Sequence, residues 1–165
     1  MDNIVLIGMP GSGKSTVGVL LAKMLGYDFL DSDLLIQAAA GKRLFEILRE
    51  DGNEAFAALE NRVNAGIDVH HTVIATGGSV IYGAEAMEHL SKIGRVVYLQ
   101  VSLPEMLRRI KNPETRGILL PGGMTLADLY RERKPLYERY AQITVPCSRG
   151  SLVQVAGKIM KALEK

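Results

Sequence analysis

The sequence predicts an α/β fold in which a parallel sheet is covered by helices on both faces. Short apolar runs alternate along the chain with segments of helical periodicity, as expected for parallel strands joined by crossover helices. A glycine-rich turn separates the first apolar run from the first helical segment. The 165 residues fit one domain, which we place at residues 1–165.

The amino-terminal half contains three predicted strands. Residues 3–7 are a continuous apolar run, and a helix with apolar residues at helical spacing follows until Gly26 ends it. The pair Asp51-Gly52 interrupts a later helical pattern and divides it in two. The predicted elements of this half, in order, are a strand at 3–7, a helix at 14–25, a strand at 27–30, helices at 34–40, 44–49 and 54–65, and a strand at 72–75.

The carboxy-terminal half continues the alternation. Ser102 and Glu105 have the spacing of a capping box, which predicts the start of a helix. Pro135 is expected to kink a later helix. The predicted elements are a helix at 84–90, a strand at 96–101, the helix beginning at 102, a mobile loop at 111–124 rich in Pro and Gly, a helix at 125–140, a strand at 143–145 and a last helix with an apolar face from 152 to 163.

Composition excludes several classes of protein. Lys and Arg total 20 and Asp and Glu total 18, and this near-balance argues against a strongly basic nucleic-acid-binding protein. No stretch approaches the ~20 apolar residues needed to span a membrane. The single cysteine, Cys147, cannot form an intramolecular disulfide, and one thiol excludes a zinc finger. We therefore expect a cytoplasmic protein, and we expect it to be a monomer.

Three polar turns follow three of the predicted strands: residues 8–15, 31–33 and 76–79. In parallel sheets, ligands bind beyond the carboxyl ends of the strands. If these strands are parallel, all three turns converge on one crevice, which is a stronger indication of a binding site than any single turn.

Residues 8–15 match the pattern G-x-x-x-x-G-K-[ST] of a phosphate-binding loop. In this pattern the backbone N–H groups of residues such as Gly11, Ser12 and Gly13 point at phosphate oxygens, and the following helix adds the positive end of its dipole. Lys14 can reach the β- and γ-phosphates, Ser15 can ligate Mg²⁺, and Thr16 can bond near the α-phosphate. The loop therefore predicts binding of a nucleoside triphosphate.

Asp31 and Asp33 allow two interpretations. They lie two residues apart at the end of a predicted strand, so their side chains leave in similar directions. One carboxylate can hold the water shell of Mg²⁺ while the other accepts a proton from a substrate hydroxyl. Alternatively the pair is a turn and a helix cap, where Asp is common. Their position beside the phosphate loop favours the first interpretation.

Two further segments have weaker signals. Gly77-Gly78-Ser79 can offer backbone N–H groups to a ligand, although Gly-Gly is also a common turn. Arg108, Arg109 and Arg116 surround the start of the 111–124 loop. A mobile arginine can stabilise the negative charge of phosphoryl transfer, and a closing loop excludes water; the alternative is a solvated basic loop.

Taken together, these motifs and their order resemble the shikimate kinases, small phosphate-loop kinases related in fold to nucleoside monophosphate kinases. The resemblance runs from Asn3 to about Pro146. It includes residues 8–16, Asp31-Ser32-Asp33, residues 52–60 with Phe56, Gly77-Gly78-Ser79, Arg109, Arg116 with Leu119-Leu120, and residues 133–137. It implies a three-layer α/β/α fold with a five-stranded parallel sheet, a mobile lid at about 111–124, and a substrate-binding helical segment at about 34–65.

The resemblance also implies a role for each matching residue. Lys14 and Ser15 would serve ATP and Mg²⁺, and Asp31 would hold the metal through water. Asp33 would bind the substrate hydroxyl and favour its deprotonation. Arg109 would stack on adenine and Arg116 would reach the phosphates from the lid. Arg133 would bind a substrate carboxylate, in a pocket lined by Gly77, Gly78 and Ser79.

The chain departs from the family pattern where the substrate carboxylate is usually gripped. The arginine expected after Phe56 is Ala57, and Asn53 replaces a glutamate. Glu60 would then present an unpaired negative charge, unless Arg43, Arg49 or Arg62 replaces the missing arginine. This departure predicts weak binding of shikimate, or an acceptor of another shape.

Three functions remain open at this point. The first is phosphoryl transfer from ATP to shikimate or a related small hydroxylated metabolite that can carry a carboxylate. The second is a kinase of another sugar acid, such as gluconate. The third is a nucleotide-binding switch without a small-molecule acceptor, for which Asp33, Arg116 and Arg133 would be unnecessary.

Overall fold

Five short strands form one parallel sheet in the computed structural model, which describes residues 2–111, 118, 120 and 122–165. The strands lie in the order β2-β3-β1-β4-β5, and each neighbouring pair is parallel. Their bounds are β1 (Asn3–Ile7), β2 (Asp28–Asp31), β3 (Thr72–Ala75), β4 (Gly94–Gln100) and β5 (Ile143–Pro146). The predicted α/β class and the parallel sheet are confirmed.

Helices connect the strands and cover the sheet. They are α1 (Lys14–Leu25), α2 (Ser32–Ala40), α3 (Leu44–Ala65), α4 (Ala84–Ile93), α5 (Leu103–Arg109), α6 (Leu126–Tyr140) and α7 (Leu152–Leu163), with a short 3-10 helix at Val80–Tyr82. Helix α1 packs against α7, whereas α3 packs against α4 and α6 contacts β4. This is the three-layer arrangement expected when helices cover both faces of a parallel sheet.

Local sequence signals explain most helix ends. Gly52 has the non-helical angles φ 88° and ψ 173° inside α3, so α3 consists of two helical segments that meet at a kink, and the predicted break at Asp51-Gly52 is confirmed. Ser102 caps α5 as predicted, because its side chain accepts a hydrogen bond from the backbone N–H of Glu105. The second hydrogen bond of a capping box, from the backbone N–H of Ser102 to the Glu105 carboxylate, is not formed. That carboxylate pairs with Arg108 and Arg109 instead.

The strand register places the three predicted polar turns side by side at the carboxyl ends of β1, β2 and β3. Leu6 of β1 and Asp31 of β2 both pair with Ala75, the last residue of β3. The chain leaves β1 toward β2 and leaves β3 toward β4, so β1 and β3 flank the switch point at which ligands bind in open α/β sheets. The predicted convergence of the three turns is confirmed.

Buried tyrosines pack α6 against this edge of the sheet. Tyr98 of β4 and Tyr137 of α6 are fully buried and stack with ring centroids 5.2 Å apart. The Tyr137 hydroxyl donates to the backbone oxygen of Gly78 at 2.5 Å. Since a buried hydroxyl without a partner is costly, this bond favours one position of α6 against the turn after β3.

Part of the predicted lid, and with it Arg116, lies outside the described residues. Of the lid residues that the structure describes, Ile118 is buried, and both Ile118 and Met124 line the cavity of the candidate site. Within the described ranges, none of the helices combines the length and the apolar character that crossing a membrane requires.

Candidate active site

A cavity of about 820 Å³ opens beyond the carboxyl ends of the central strands. Its walls come from the phosphate loop, the start of α2, the middle of α3, the turn after β3 and the start of α6. The predicted site residues that line it are Gly11, Gly13, Lys14, Ser15, Thr16, Asp33, Gly77, Gly78, Ser79 and Arg133. Residues separated by more than 100 positions in the sequence therefore share one cavity.

Lys14 is buried against its own loop. Its Nζ donates to the backbone oxygens of Gly8 at 2.7 Å and Met9 at 2.9 Å, and lies 3.4 Å from Ser12 Oγ. Burial lowers the pKa of Lys14 to about 8, against the opposing effect of the Asp33 carboxylate. The loop carbonyls thus hold a positive charge at the cavity wall, beside the amino terminus of α1.

Asp31 caps a helix, as the second interpretation of the acidic pair predicts, and it also contacts the phosphate loop. Its Oδ1 accepts from the backbone N–H of Asp33 at 3.0 Å, which caps α2, and its Oδ2 accepts from Ser15 Oγ at 3.1 Å. Asp33 itself lies in the first turn of α2, because the helix begins at Ser32, two residues earlier than predicted. The two carboxylates are therefore separated in role: Asp31 faces the phosphate loop and Asp33 lines the cavity.

The Asp33 carboxylate sits in a partly buried position beside two charges. Burial is the main cause that raises its pKa to about 6, with a further contribution from Asp31 and an opposing one from Lys14. A carboxylate with this pKa is largely ionised at neutral pH yet binds a proton more readily than a solvated one.

The turn after β3 runs between the phosphate loop and the far wall of the cavity. A Cβ on Gly77 would lie 2.7 Å from Asp33 Oδ1 and 3.0 Å from Glu60 Oε2. A Cβ on Gly78 would lie 2.8 Å from Pro10 Cδ and 3.0 Å from Arg133 Nη1. Only glycine allows these groups to approach the backbone so closely.

Glu60 lies in the cavity wall, where the family resemblance led us to expect an unpaired negative charge, although no sequence motif singled it out. It is 3% exposed, and its Oε1 accepts from Ser79 Oγ at 2.6 Å, while Oε2 is buried without a hydrogen-bond partner. Burial raises the pKa of Glu60 to about 7. The sequence signal for Glu60 is its spacing, because Phe56, Glu60 and Asn64 recur every four residues on one helical face, and the structure buries all three.

Arg133 reaches the cavity from α6. Its guanidinium carbon lies 5.5 Å from the centroid of the Tyr82 ring, and its Nε is buried without a hydrogen-bond partner. Tyr82 and Glu132 also line the cavity, although no sequence pattern singled them out. Arg133 therefore lies at the cavity wall with at least one N–H group that donates no hydrogen bond within the described part of the chain.

Arg109 lies on the other side of the phosphate loop and does not line the cavity. Its Nη1 donates to the backbone oxygen of Gly11 at 3.2 Å, Nη2 to that of Cys147 at 3.1 Å, and Nε to Glu105 Oε1 at 2.8 Å. The guanidinium thus bridges the phosphate loop to the segment after β5.

None of the three arginines considered as replacements at Ala57 lines the cavity. The guanidinium carbons of Arg43 and Arg49 lie 5.9 and 5.7 Å from the centroid of the exposed Phe45 ring, and Arg62 is exposed. Ala57 itself does line the cavity, one turn before Glu60. In the described part of the chain, the cations that line the cavity are Lys14 and Arg133.

The described residues hold no group of three or more His, Cys, Asp or Glu side chains that could bind a metal by themselves. Ser15 and Asp31 instead offer two oxygens, which suits a metal that takes its other ligands from phosphates and water.

Comparisons with known proteins agree with this geometry. The family model for shikimate kinase matches residues 10–164. A shikimate kinase of Thermobifida fusca (strain YX) is 42% identical over 161 residues, covering 96% of this chain and 93% of its own length. The solved shikimate kinase from Acinetobacter baumannii in complex with shikimate is 34% identical, with a TM-score of 0.89 over 99% of this chain and 93% of that chain. The crystal structure from Aquifex aeolicus is 30% identical, with a TM-score of 0.83 over 98% of this chain and 96% of that one.

Proposed function

This chain belongs to the shikimate kinase family, and we propose that it transfers the γ-phosphoryl group of ATP to a hydroxyl group of shikimate or a related small polyol. The observation that carries the proposal is that Lys14 and Asp33 line one cavity, so a phosphate-binding cation and a base candidate face the same space. The relative from Acinetobacter baumannii, which was solved with shikimate, supports the choice of acceptor.

ATP is held by the phosphate loop in this proposal. The N–H groups at the start of α1 and the Lys14 ammonium attract the β- and γ-phosphates. Ser15 Oγ and Asp31 Oδ2, 3.1 Å apart, fit Mg²⁺, with Asp31 acting through water. When bound, Mg²⁺ neutralises charge on the phosphates. Arg109 would stack on adenine and Arg116 would stabilise the transferring group.

The acceptor binds on the Asp33 side of the cavity. Its hydroxyl oxygen forms a bond to the γ-phosphorus while the bond from that phosphorus to the bridging oxygen of ADP breaks, and the hydroxyl proton passes to Asp33. A base with a pKa near 6 is suited to this step at neutral pH. Arg133 would bind the carboxylate of the acceptor, with Gly77, Gly78 and Ser79 lining the pocket.

The test is ADP release from ATP with and without shikimate, gluconate and other polyols. We expect ADP release to depend on shikimate or a related polyol. Lys14→Ala should lower kcat about 10²- to 10³-fold, because it removes a preorganised charge that contacts the phosphates. Lys23→Ala removes an exposed lysine from the same helix and should leave kcat unchanged. Slow ADP release that no acceptor accelerates would contradict a kinase and support a nucleotide switch.

A further inference from the structure

Arg133 carries an unused hydrogen-bond donor at the cavity wall. Its Nε is buried and has no hydrogen-bond partner, and its guanidinium extends from α6 on a long side chain with several rotatable bonds. Such a side chain loses conformational freedom when it binds a ligand, and a contact that already restricts it lowers that cost. The groups that hold Arg133 before a ligand arrives therefore affect how tightly the ligand is bound.

Two groups from the segment after β3 approach this guanidinium. Its central carbon lies over the Tyr82 ring, 5.5 Å from the ring centroid, which is the geometry of a cation–π contact. Its Nη1 lies 3.0 Å from the position that a Cβ on Gly78 would occupy. The Tyr82 ring and the Gly78 backbone therefore limit the directions in which the guanidinium can turn.

Tyr82 is anchored through its backbone, and its ring remains accessible. It ends the short 3-10 helix whose other two residues, Val80 and Ile81, are buried. The ring itself is 44% exposed and lines the same cavity as Arg133. Since an exposed ring adds little to the core, its contact with Arg133 is the feature of this position that bears on function.

Arg133 is the cation that serves the part of the cavity away from the phosphate loop. In the described part of the chain, the cations that line the cavity are Lys14 and Arg133. Lys14 is held by the backbone oxygens of Gly8 and Met9 in the phosphate loop. A negatively charged group on the acceptor therefore depends on Arg133 and on whatever orients it.

Resting on the proposed function, we propose that Tyr82 is a positioning residue for acceptor binding. Its ring stacks on the Arg133 guanidinium and holds it at the cavity wall, where the guanidinium binds the carboxylate of the acceptor. The ring acts through Arg133, so its effect is confined to acceptors that carry a negative charge. The Tyr82 hydroxyl is not required, because the attraction comes from the face of the ring.

The experiment compares two acceptors in four proteins. The acceptors are shikimate and its carboxamide, in which a neutral amide replaces the carboxylate. The proteins are wild type, Tyr82→Leu, which removes the ring, Tyr82→Phe, which keeps it, and Tyr140→Leu. The last is a matched control, since the Tyr140 ring centroid lies 5.7 Å from the guanidinium carbon of Arg139 and neither residue lines the cavity. Both kcat and KM are measured, and calorimetry gives the affinity for each acceptor.

Tyr82→Leu should weaken shikimate binding and raise its KM about 3- to 30-fold, the range for a cation–π contact, with kcat and the KM for ATP nearly unchanged. The carboxamide should bind wild type and Tyr82→Leu equally well, because it lacks the charge that Arg133 recognises. Tyr82→Phe should regain most of the affinity for shikimate, and Tyr140→Leu should behave as wild type. In an Arg133→Ala background, Tyr82→Leu should have no further effect, because the ring has nothing left to position.

Four results would overturn the inference while leaving the proposed function intact. The first is an unchanged affinity for shikimate in Tyr82→Leu. The second is a loss as large for the carboxamide as for shikimate, which would mean that the ring supports the fold or contacts the acceptor itself. The third is a Tyr82→Phe variant as weak as Tyr82→Leu, and the fourth is a loss that persists without Arg133. A wild-type protein that neither binds nor phosphorylates shikimate would contradict both proposals.

Discussion

Asp33 Oδ1 and Glu60 Oε2 approach the same point beside Gly77, at 2.7 and 3.0 Å from the position of a Cβ on that residue. Two carboxylates from different helices therefore share one wall of the cavity, and the Asp33 charge adds to the burial that raises the pKa of Glu60. The backbone of Gly77 sets their spacing, which makes the glycine a sensitive position.

Gly77→Ala should displace the Asp33 carboxylate and lower kcat/KM for the acceptor by about 10- to 100-fold, because small displacements of a catalytic group are costly. The affinity for ATP should change little. Gly157→Ala is the matched control, since a Cβ there meets nothing within 4 Å. Kinetics with both substrates varied would separate the two effects, and a fully active Gly77→Ala would show that Asp33 needs no exact position.

Asp33→Asn should keep ATP affinity and lower kcat by about 10² to 10⁴, because the amide cannot accept a proton. In wild type, kcat/KM for the acceptor should fall as the pH drops through about 6, where Asp33 becomes protonated. In Asp33→Asn this fall of kcat/KM at low pH should be absent, whereas in Glu60→Gln it should remain. The exposed Asp28→Asn serves as the control, and normal turnover by Asp33→Asn would exclude the base role.

Glu60→Gln should stabilise the ligand-free protein at alkaline pH. The pKa of Glu60 is raised from 4.5 to about 7 in the fold, so the folded state favours the protonated form. The stability that this group contributes is full below about pH 4.5 and is lost as the pH rises through 7. Urea unfolding at pH 8 should show a gain of about 1–3 kcal/mol.

At pH 4.5 the same substitution should have little effect on the free energy of unfolding, because the native carboxyl is then protonated too. Glu54→Gln, at an exposed position of α3, should have little effect at either pH. A gain of the same size at both pH values would mean that ionisation of Glu60 is not its cause.

Arg109→Ala should raise the KM for ATP about 10-fold or more, because its guanidinium contacts the backbone of Gly11 in the phosphate loop. Arg108→Ala is a close control, since Arg108 is exposed and pairs with the same Glu105 without touching the loop. Equal effects of the two substitutions would argue that only the ion pairs with Glu105 matter.

Ala57→Arg should place a cation one turn before Glu60 and strengthen binding of a carboxylate-bearing acceptor by about 10- to 150-fold, the range for a charge-assisted hydrogen bond. The exposed Ala55→Arg adds the same charge on α3 outside the cavity and should have no such effect. A wild-type KM for shikimate that the new arginine does not lower would show that another group already holds the carboxylate.

Much of the site could be predicted because its signals are local. The phosphate loop is a run of consecutive residues between an apolar strand and a helix, and Gly52 and Ser102 mark a kink and a helix start through their own backbone and side-chain chemistry. The role of Asp31 was harder to predict, because it caps α2 and also accepts a hydrogen bond from Ser15. Sequence patterns do not show whether a residue makes one of these contacts or both.

The sequence by itself determined the parallel α/β sheet, the phosphate loop and the edge at which its turns converge, because strand and helix periodicity and turn residues act over a few neighbouring positions. Only the tertiary structure decided that Ser79 bonds one oxygen of Glu60 and leaves the other without a partner, and that Arg43, Arg49 and Arg62 do not line the cavity beside Ala57. Those facts depend on how α3 and α6 pack against the turn after β3. Such packing joins residues far apart in the chain, and the burial that results, rather than residue type, raises the pKa of Glu60.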